Sequence, residues 1–223
     1  MTALSLIRRG ILRARDYLRG RRKGQFRTFE IAYVILVSDE VHNYMSRLQI
    51  DILNQYGVNP GLKASPHITL KLGFEASRLE PFERYFDKLA NETEPFEICI
   101  KDIGFFDEGV IFMDVEHNPR LEKLRRRILD DLSEQHGVEP YPLEGDRYHF
   151  HATLAYGLSK HDFTAARQKL KDMKVEFRFV LNTLALFCHA GDGWITYKRA
   201  AVSQNRTDGG SRSERAVDEN GQS

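Results

Sequence analysis

The chain has 223 residues, of which 41% are hydrophobic and 29% are charged, a balance typical of globular proteins. Its apolar runs are far shorter than the roughly 20 residues that a membrane-spanning helix needs, and Cys99 and Cys188 lack the paired spacing of a zinc or redox site. A transmembrane protein, a disulfide scaffold and a cysteine-based metal site are therefore not expected, and two buried thiols fit a reducing compartment.

The net charge of +1 conceals an asymmetry along the chain. Residues 1–30 carry nine basic and two acidic side chains, a net charge of +7, so the remainder carries −6. A body of modest negative charge has no general attraction for nucleic acid, because proteins that bind it usually present a basic face. Any contact with RNA is therefore expected to be local.

In the basic amphipathic N-terminal extension, residues 1–28, the first 20 residues predict a helix. Between its arginines, apolar side chains recur every three or four residues at Leu4, Ile7, Ile11, Ala14 and Leu18. Such a helix fits a mitochondrial-type transit peptide, an interfacial helix that contacts anionic lipid or RNA, or a solvated extension. We expect a cytoplasmic protein, and this helix leaves a mitochondrial location as the alternative.

Residues 29–202 predict the folded body, because the polar tail at 203–223 cannot bury enough apolar surface to become ordered. In the first part of the body, the hydrophobic periodicity predicts a strand at 31–37, a helix at 41–56, a strand at 65–73, a helix at 77–91 and a strand at 96–106. The second part predicts a strand at 110–115, a helix that begins at Pro119 after a cap at Asn118, a strand at 148–157, a helix at 163–170 and strands at 175–188 and 194–202. The order strand, helix, strand, helix, strand thus occurs twice, in pseudo-repeats of about 29–106 and 109–202.

Each pseudo-repeat carries one His-x-Thr-Leu motif in its second strand, beginning at His67 and at His151. Shuffling the sequence gives about 0.03 such motifs, so two in matching places are not accidental. Alternate residues of a strand project from the same face, so His67 and Thr69 share one face, as do His151 and Thr153. If a pseudo-twofold axis relates the repeats, two imidazoles and two hydroxyls meet at one site.

These four side chains suit displacement at phosphorus. The reaction needs a base for the incoming oxygen, an acid for the leaving oxygen and donors for the non-bridging oxygens. Histidine serves either proton role because its ordinary pKa is about 6.5. The threonine hydroxyls would hold the phosphoryl oxygens, and no metal or cofactor is required.

The duplicated motif resembles the 2H phosphoesterase superfamily, specifically its branch of 2′-5′ RNA ligases and cyclic nucleotide phosphodiesterases. The resemblance covers about residues 29–202. It implies an α+β, bilobal fold in which two antiparallel sheets line a central cleft and helices lie outside. It also implies that His67 and His151 act as the acid and base pair and that Thr69 and Thr153 bind phosphate. The function expected is a metal-independent phosphodiesterase for 2′,3′-cyclic phosphates or 2′,5′-phosphodiesters.

The expected substrates are RNA 3′ ends or small nucleotides, bound by a monomer. A 2′-5′ RNA ligase with the same site and a non-catalytic protein that binds RNA ends remain as alternatives. Three further residues are candidates for substrate binding because they lie in or beside the motif strands: Lys71, His149 and Tyr148. A metal site of His67, His149 and His151 is less favoured, because neither motif contains a carboxylate at ligand spacing and the threonines would have no role.

Overall fold

A computed structural model describes residues 28–107, 109–145 and 148–202. The polar tail, the predicted N-terminal helix and all but the last residue of the N-terminal extension lie outside the described residues. The described chain forms eight strands, four α-helices and two short 3-10 helices, at Pro60–Lys63 and Pro142–Glu144. The strands and α-helices are, in chain order, β1 (Phe29–Leu36), α1 (Asp39–Tyr56), β2 (His67–Ala76), α2 (Glu80–Glu92), β3 (Glu97–Phe106), β4 (Val110–Val115), α3 (Pro119–His136), β5 (His151–Ala155), α4 (Lys160–Leu170), β6 (Glu176–Val180), β7 (Thr183–His189) and β8 (Trp194–Ala201).

The eight described strands form one sheet in the order β6-β3-β4-β5-β2-β1-β7-β8, and every pair of neighbours is antiparallel. Its two four-stranded halves join where β2 meets β5, so the two expected sheets are halves of a single one. This arrangement confirms the α+β class. It also places both motif strands at the centre of the sheet.

The two halves of the sheet exchange strands between the pseudo-repeats. Strand β3 follows the first motif along the chain but pairs with β4 and β6, whereas β7 follows the second motif and pairs with β1. The single strand predicted at 175–188 is wrong: the chain turns at Leu181 and Asn182, and β6 and β7 lie in opposite halves of the sheet. Each half therefore contains strands from both repeats.

Helix α3 begins and ends where its capping residues predict. In α3, the Asn118 side chain accepts hydrogen bonds from the backbone N–H groups of Arg120 and Leu121, and Pro119 occupies the first turn. The helix ends at Gly137, whose φ of 64° is a conformation that glycine adopts at little cost. None of the described helices is both long and apolar enough to cross a bilayer.

The main core lies between the helices and one face of the sheet. Within it, α1 packs against β5 and α3 packs against β2. Helix α1 follows β1 and α3 follows β4, so each of these helices contacts the half of the sheet that does not contain the strand before it. The motif residues that face this core, such as Ile68, Ala152 and Leu154, are completely buried. The other face of the sheet, called the open face below, carries the buried Val34 and the partly exposed motif residues His67, Thr69, His151 and Thr153.

Candidate active site

The register of β2 and β5 brings the two motifs together on the open face. Ile68 lies opposite Ala152, and in an antiparallel pair the next residues outward are His67 opposite Thr153 and Thr69 opposite His151. Side chains in such positions have Cβ atoms about 4.5–5.5 Å apart. Alternating burial along both motifs agrees with the prediction that the histidines and threonines share one face.

The neighbouring strands make the two sides of this site different. On the open face, the β1 residue that pairs with His67 is Leu36, whereas the β4 residue that pairs with His151 is Asp114. His67 therefore has an aliphatic cross-strand neighbour, and His151 has a carboxylate. The pseudo-twofold arrangement thus gives two imidazoles in different electrostatic surroundings.

Both imidazoles are oriented in the same way by the backbone. Nδ1 of His67 lies 2.7 Å from the carbonyl oxygen of Ser65, and Nδ1 of His151 lies 2.7 Å from that of His149. Since a carbonyl oxygen only accepts, Nδ1 carries the proton in each ring. Nε2 is then the nitrogen that titrates, so each ring can accept a proton when neutral and donate one when charged.

His67 lies in apolar surroundings. Its ring packs edge-on against Phe187, with centroids 4.8 Å apart, and Phe187 belongs to a buried cluster with Ala32, Val34 and Ala185. The pKa of His67 is lowered from 6.5 to about 4, mainly by burial and also by the nearby His151, while the hydrogen bond to Ser65 partly opposes the change. The ring is therefore neutral at physiological pH.

His151 lies in mixed surroundings of aromatic rings and charge. Its centroid is 5.1 Å from that of Phe106 and 5.2 Å from that of Phe112. Burial lowers the pKa of His151, and the nearby His149 ring lowers it as well, whereas the hydrogen bond to the His149 carbonyl and, to a smaller extent, the Asp114 carboxylate raise it. Here a carboxylate favours the protonated ring, an effect that His67 lacks.

The predicted strand at 148–157 begins only at His151, so His149 precedes β5. The His149 ring is exposed, and its Nε2 lies 2.8 Å from Asp114 Oδ1. The His149 side chain thus engages the same carboxylate that adjoins His151, while the His149 carbonyl holds the His151 ring. Among the described residues, no three His, Cys, Asp or Glu side chains converge as a set of metal ligands.

Lys71, a candidate for substrate binding, does not lie on the open face with the motif histidine and threonine, because a β-bulge follows the first motif. One step along β1, from Val34 to Tyr33, corresponds to two steps along β2, from Thr69 to Lys71. The bulge turns Lys71 into the core, where it is completely buried and its Nζ lies 2.6 Å from Glu144 Oε2. Lys71 is therefore not placed to contact a substrate on the open face.

Tyr148 is half-buried and contacts the first motif through its hydroxyl, which donates a hydrogen bond of 3.1 Å to the carbonyl oxygen of Thr69. The Arg125 guanidinium lies 3.9 Å from the centre of the Tyr148 ring. Burial raises the pKa of Tyr148. Tyr148, a candidate for substrate binding, thus contacts the backbone of β2, the strand of the first motif.

Sequence reasoning missed Asp114 and Glu144. The signal for Asp114 is weak but present, since it is the one charged residue in the otherwise apolar strand β4. Glu144 gives no such signal, because a glutamate in a loop with proline and glycine is typical of an exposed turn.

Comparison with known proteins agrees with this geometry. A profile of the 2′-5′ RNA ligase superfamily matches residues 37–193. A protein of Oceanobacillus iheyensis whose name describes it as a phosphoesterase is 25% identical over 146 residues, which span 63% of this chain and 81% of the relative.

Solved structures share the fold at low sequence identity. Escherichia coli LigT complexed with NADP+ has a TM-score of 0.56 at 18% identity, over 79% of this chain and 98% of LigT. LigT complexed with 3′-AMP has a TM-score of 0.54 at 17% identity, over 80% and 100% of the two chains. A Thermus thermophilus protein has a TM-score of 0.54 at 16% identity, over 78% and 97%. These structures confirm the bilobal fold, and because the superfamily profile covers most of the chain, including both His-x-Thr-Leu motifs, this protein belongs to the 2′-5′ RNA ligase superfamily.

Proposed function

We propose that this protein is a phosphodiesterase that opens 2′,3′-cyclic phosphates or cleaves 2′,5′-phosphodiesters at RNA ends or in small nucleotides. The observation that carries the proposal is the cross-strand arrangement of His67 with Thr153 and of Thr69 with His151 at the centre of the sheet. The phosphoesterase name of the Oceanobacillus relative and the complex of LigT with 3′-AMP support phosphoester chemistry on a nucleotide.

The proposed reaction is an in-line displacement. Nε2 of His67 takes a proton from water as the water oxygen bonds to phosphorus. The bond from phosphorus to the ribose oxygen breaks, and that oxygen receives the Nε2 proton of His151. The hydroxyls of Thr69 and Thr153 donate hydrogen bonds to the non-bridging oxygens, whose charge grows in the transition state.

The surroundings of the two rings favour this division of roles. A general base must be neutral before the reaction, and the apolar environment of His67, which includes Leu36 and Phe187, favours the neutral ring. A general acid must be protonated, and the carboxylate of Asp114 favours the charged form of His151. An anionic phosphate bound between the rings would raise the pKa of both and help to charge His151.

The test is incubation with a 2′,3′-cyclic mononucleotide in the presence of EDTA, followed by chromatography of the products. We expect a nucleoside monophosphate, formed without added metal. His67→Ala and His151→Ala should each lower the rate by about a hundredfold or more, as expected for acid-base groups. His161→Ala is the control, since the His161 side chain is 91% exposed on α4, and it should retain the wild-type rate.

Other outcomes point to other functions. Joining of an RNA that ends in a 2′,3′-cyclic phosphate to one that begins with a 5′-hydroxyl would show that the protein is a ligase. Binding of the cyclic nucleotide without turnover would favour a protein that only recognises RNA ends. A strict requirement for a divalent metal, or histidine variants that remain within about threefold of wild type, would contradict the proposed mechanism.

A further inference from the structure

Buried polar side chains are concentrated around the two motifs. In the described part of the chain, six polar or charged residues are buried, and all but Thr93 belong to hydrogen-bonded groups that join a motif strand to a loop or helix: Gln49, Asn59, Lys71, Arg125 and Glu144. Burying such groups costs free energy unless they are paired, and apolar residues of similar volume often pack at least as well. Their placement therefore needs a reason other than stability.

The first group, called the Asn59 clamp, consists of Asn59 and Gln49. Asn59 lies in the loop before β2, and its Nδ2 donates hydrogen bonds to the carbonyl oxygens of Leu154, at 3.1 Å, and Gln49, at 3.0 Å. Nε2 of Gln49 donates to the carbonyl oxygen of Thr153, at 3.3 Å. The same loop contains Ser65, whose carbonyl orients His67. The loop that orients the first histidine is thus fixed to the strand of the second motif.

The second group, called the Glu144 clamp, lies in the loop before β5. The Glu144 carboxylate accepts hydrogen bonds from Lys71 Nζ, at 2.6 Å, and from the backbone N–H groups of Leu72, at 2.7 Å, and Tyr141, at 2.9 Å. Lys71 and Leu72 lie in β2, just beyond the first motif. This contact fixes the loop that precedes the second motif to the strand of the first.

The Glu144 clamp continues toward both motifs through Arg125. This arginine, on α3, donates to the carbonyl oxygen of Glu144 and places its guanidinium against the ring of Tyr148. The Tyr148 hydroxyl in turn bonds the carbonyl oxygen of Thr69. One residue further along, His149 supplies the carbonyl that orients His151. The clamp therefore connects the backbone of Thr69 with the segment that orients His151.

We infer that the two clamps are reciprocal positioning devices, in which each loop that orients one catalytic histidine is anchored to the strand carrying the other motif. The clamp residues contact neither substrate nor the reacting atoms; they keep His67 aligned with Thr153 and His151 aligned with Thr69. Their effect on rate rests on the proposed function, because misplacing acid, base and phosphate ligands lowers the rate of a displacement steeply.

Kinetics of matched variants test the inference. Asn59→Leu breaks the first clamp, and the double variant Lys71→Met/Glu144→Gln removes the ion pair of the second without leaving either partner as an unpaired buried charge. Thr93→Val is the control, because the buried Thr93 hydroxyl donates a 2.6 Å hydrogen bond to Leu89 within α2. We expect each clamp variant to lower kcat about tenfold or more with KM within about threefold, and the control to stay within about twofold of wild type in both.

Combination with the threonine variants shows through which motif each clamp acts. The decrease in kcat caused by Asn59→Leu should be smaller in a Thr153→Val background and unchanged in a Thr69→Val background. The decrease caused by the double variant of the Glu144 clamp should be smaller in a Thr69→Val background and unchanged in a Thr153→Val background. Equal effects in both backgrounds would overturn the reciprocal arrangement. If the larger changes prevent folding, Gln49→Met and Tyr148→Phe remove only the bonds to Thr153 and Thr69, and the same pattern is expected with smaller factors.

An NMR measurement separates failure of this inference from failure of the proposed function. The ¹⁵N signals of the imidazoles report the Nδ1 hydrogen bonds without any substrate. Asn59→Leu should shift mainly the signals of His67, the double variant mainly those of His151, and Thr93→Val neither. Unmoved imidazole signals in both clamp variants would overturn the inference even if the enzyme is active. An inactive wild type with the expected shifts would overturn only the proposed function.

Discussion

Replacing His67 by asparagine should make the fold less sensitive to acid. Asparagine cannot titrate, but its side-chain amide can donate to the Ser65 carbonyl as Nδ1 of His67 does. In the wild type, the pKa of His67 is about 4 when folded, against 6.5 for an unperturbed histidine. Because the unfolded chain binds this proton more tightly, stability is fully present above pH 6.5 and is lost as the pH falls toward 4.

The magnitude follows from the two pKa values. At about pH 4, the unfolded chain gains about 2–3 kcal/mol from protonation of His67 relative to the folded protein, after allowance for the partial exposure of the ring. The free energy of unfolding of the wild type minus that of His67→Asn should therefore rise by this amount between about pH 4 and pH 7.5. Urea unfolding at several pH values measures it, with the exposed His161→Asn as the control.

A difference in the free energy of unfolding that does not change with pH would contradict this prediction. If the two free energies of unfolding stay parallel within about 1 kcal/mol over this range, His67 is not held neutral by its surroundings. The assignment of His67 as the general base would then lose its physical basis. A similar pH-dependent difference for the control would show that the method does not isolate a single imidazole.

Three other predictions concern catalysis and packing. Thr69→Val and Thr153→Val should each lower kcat about tenfold or more, by loss of a charge-assisted hydrogen bond in the transition state, with little change in the melting temperature; an unchanged kcat would exclude the hydroxyls as phosphate ligands. A methyl group at Gly104 would collide with the ring of Phe112, which packs beside the His151 imidazole. Gly104→Ala should therefore lower the free energy of unfolding by about 1–3 kcal/mol and reduce kcat. A wild-type melting temperature in calorimetry together with a wild-type kcat would contradict this packing. The pH profile of kcat/KM should peak below pH 6.5, because burial lowers the pKa of both imidazoles. Asp114→Asn should move the alkaline limb of this profile to lower pH, because the Asp114 carboxylate raises the pKa of His151. An alkaline limb that does not move would argue against His151 as the acid.

The parts of the fold that follow from short-range periodicity could be predicted from the sequence. Residues 67–70 and 151–154 alternate between partial exposure and burial as the motif spacing indicates, because one face of each strand packs against helices. The start of α3 could be predicted from Asn118 and Pro119 for a similar reason, since capping depends on neighbouring residues alone.

What depends on pairing between distant strands could not be predicted. The bulge that turns Lys71 into the core depends on the register of β2 against β1, and nothing in the local sequence marks it. The break between β6 and β7 lies within an apolar run, where Leu181 is itself completely buried. Glu144 is buried because Lys71 and the backbone N–H group of Leu72, both in the distant strand β2, meet its carboxylate, which also accepts from the N–H group of Tyr141 in its own turn.

Because β3 and β7 are exchanged between the halves of the sheet, neither half of the chain can fold by itself. If the backbone were cleaved at the turn around Gly109, the N-terminal fragment would keep β3 without either of its pairing partners, and the C-terminal fragment would keep β7 without β1. Neither fragment could complete its own hydrogen-bond ladder. Duplication of the motif therefore did not produce two autonomous modules, and a catalytic centre forms only when both portions of the polypeptide fold as one cooperative unit.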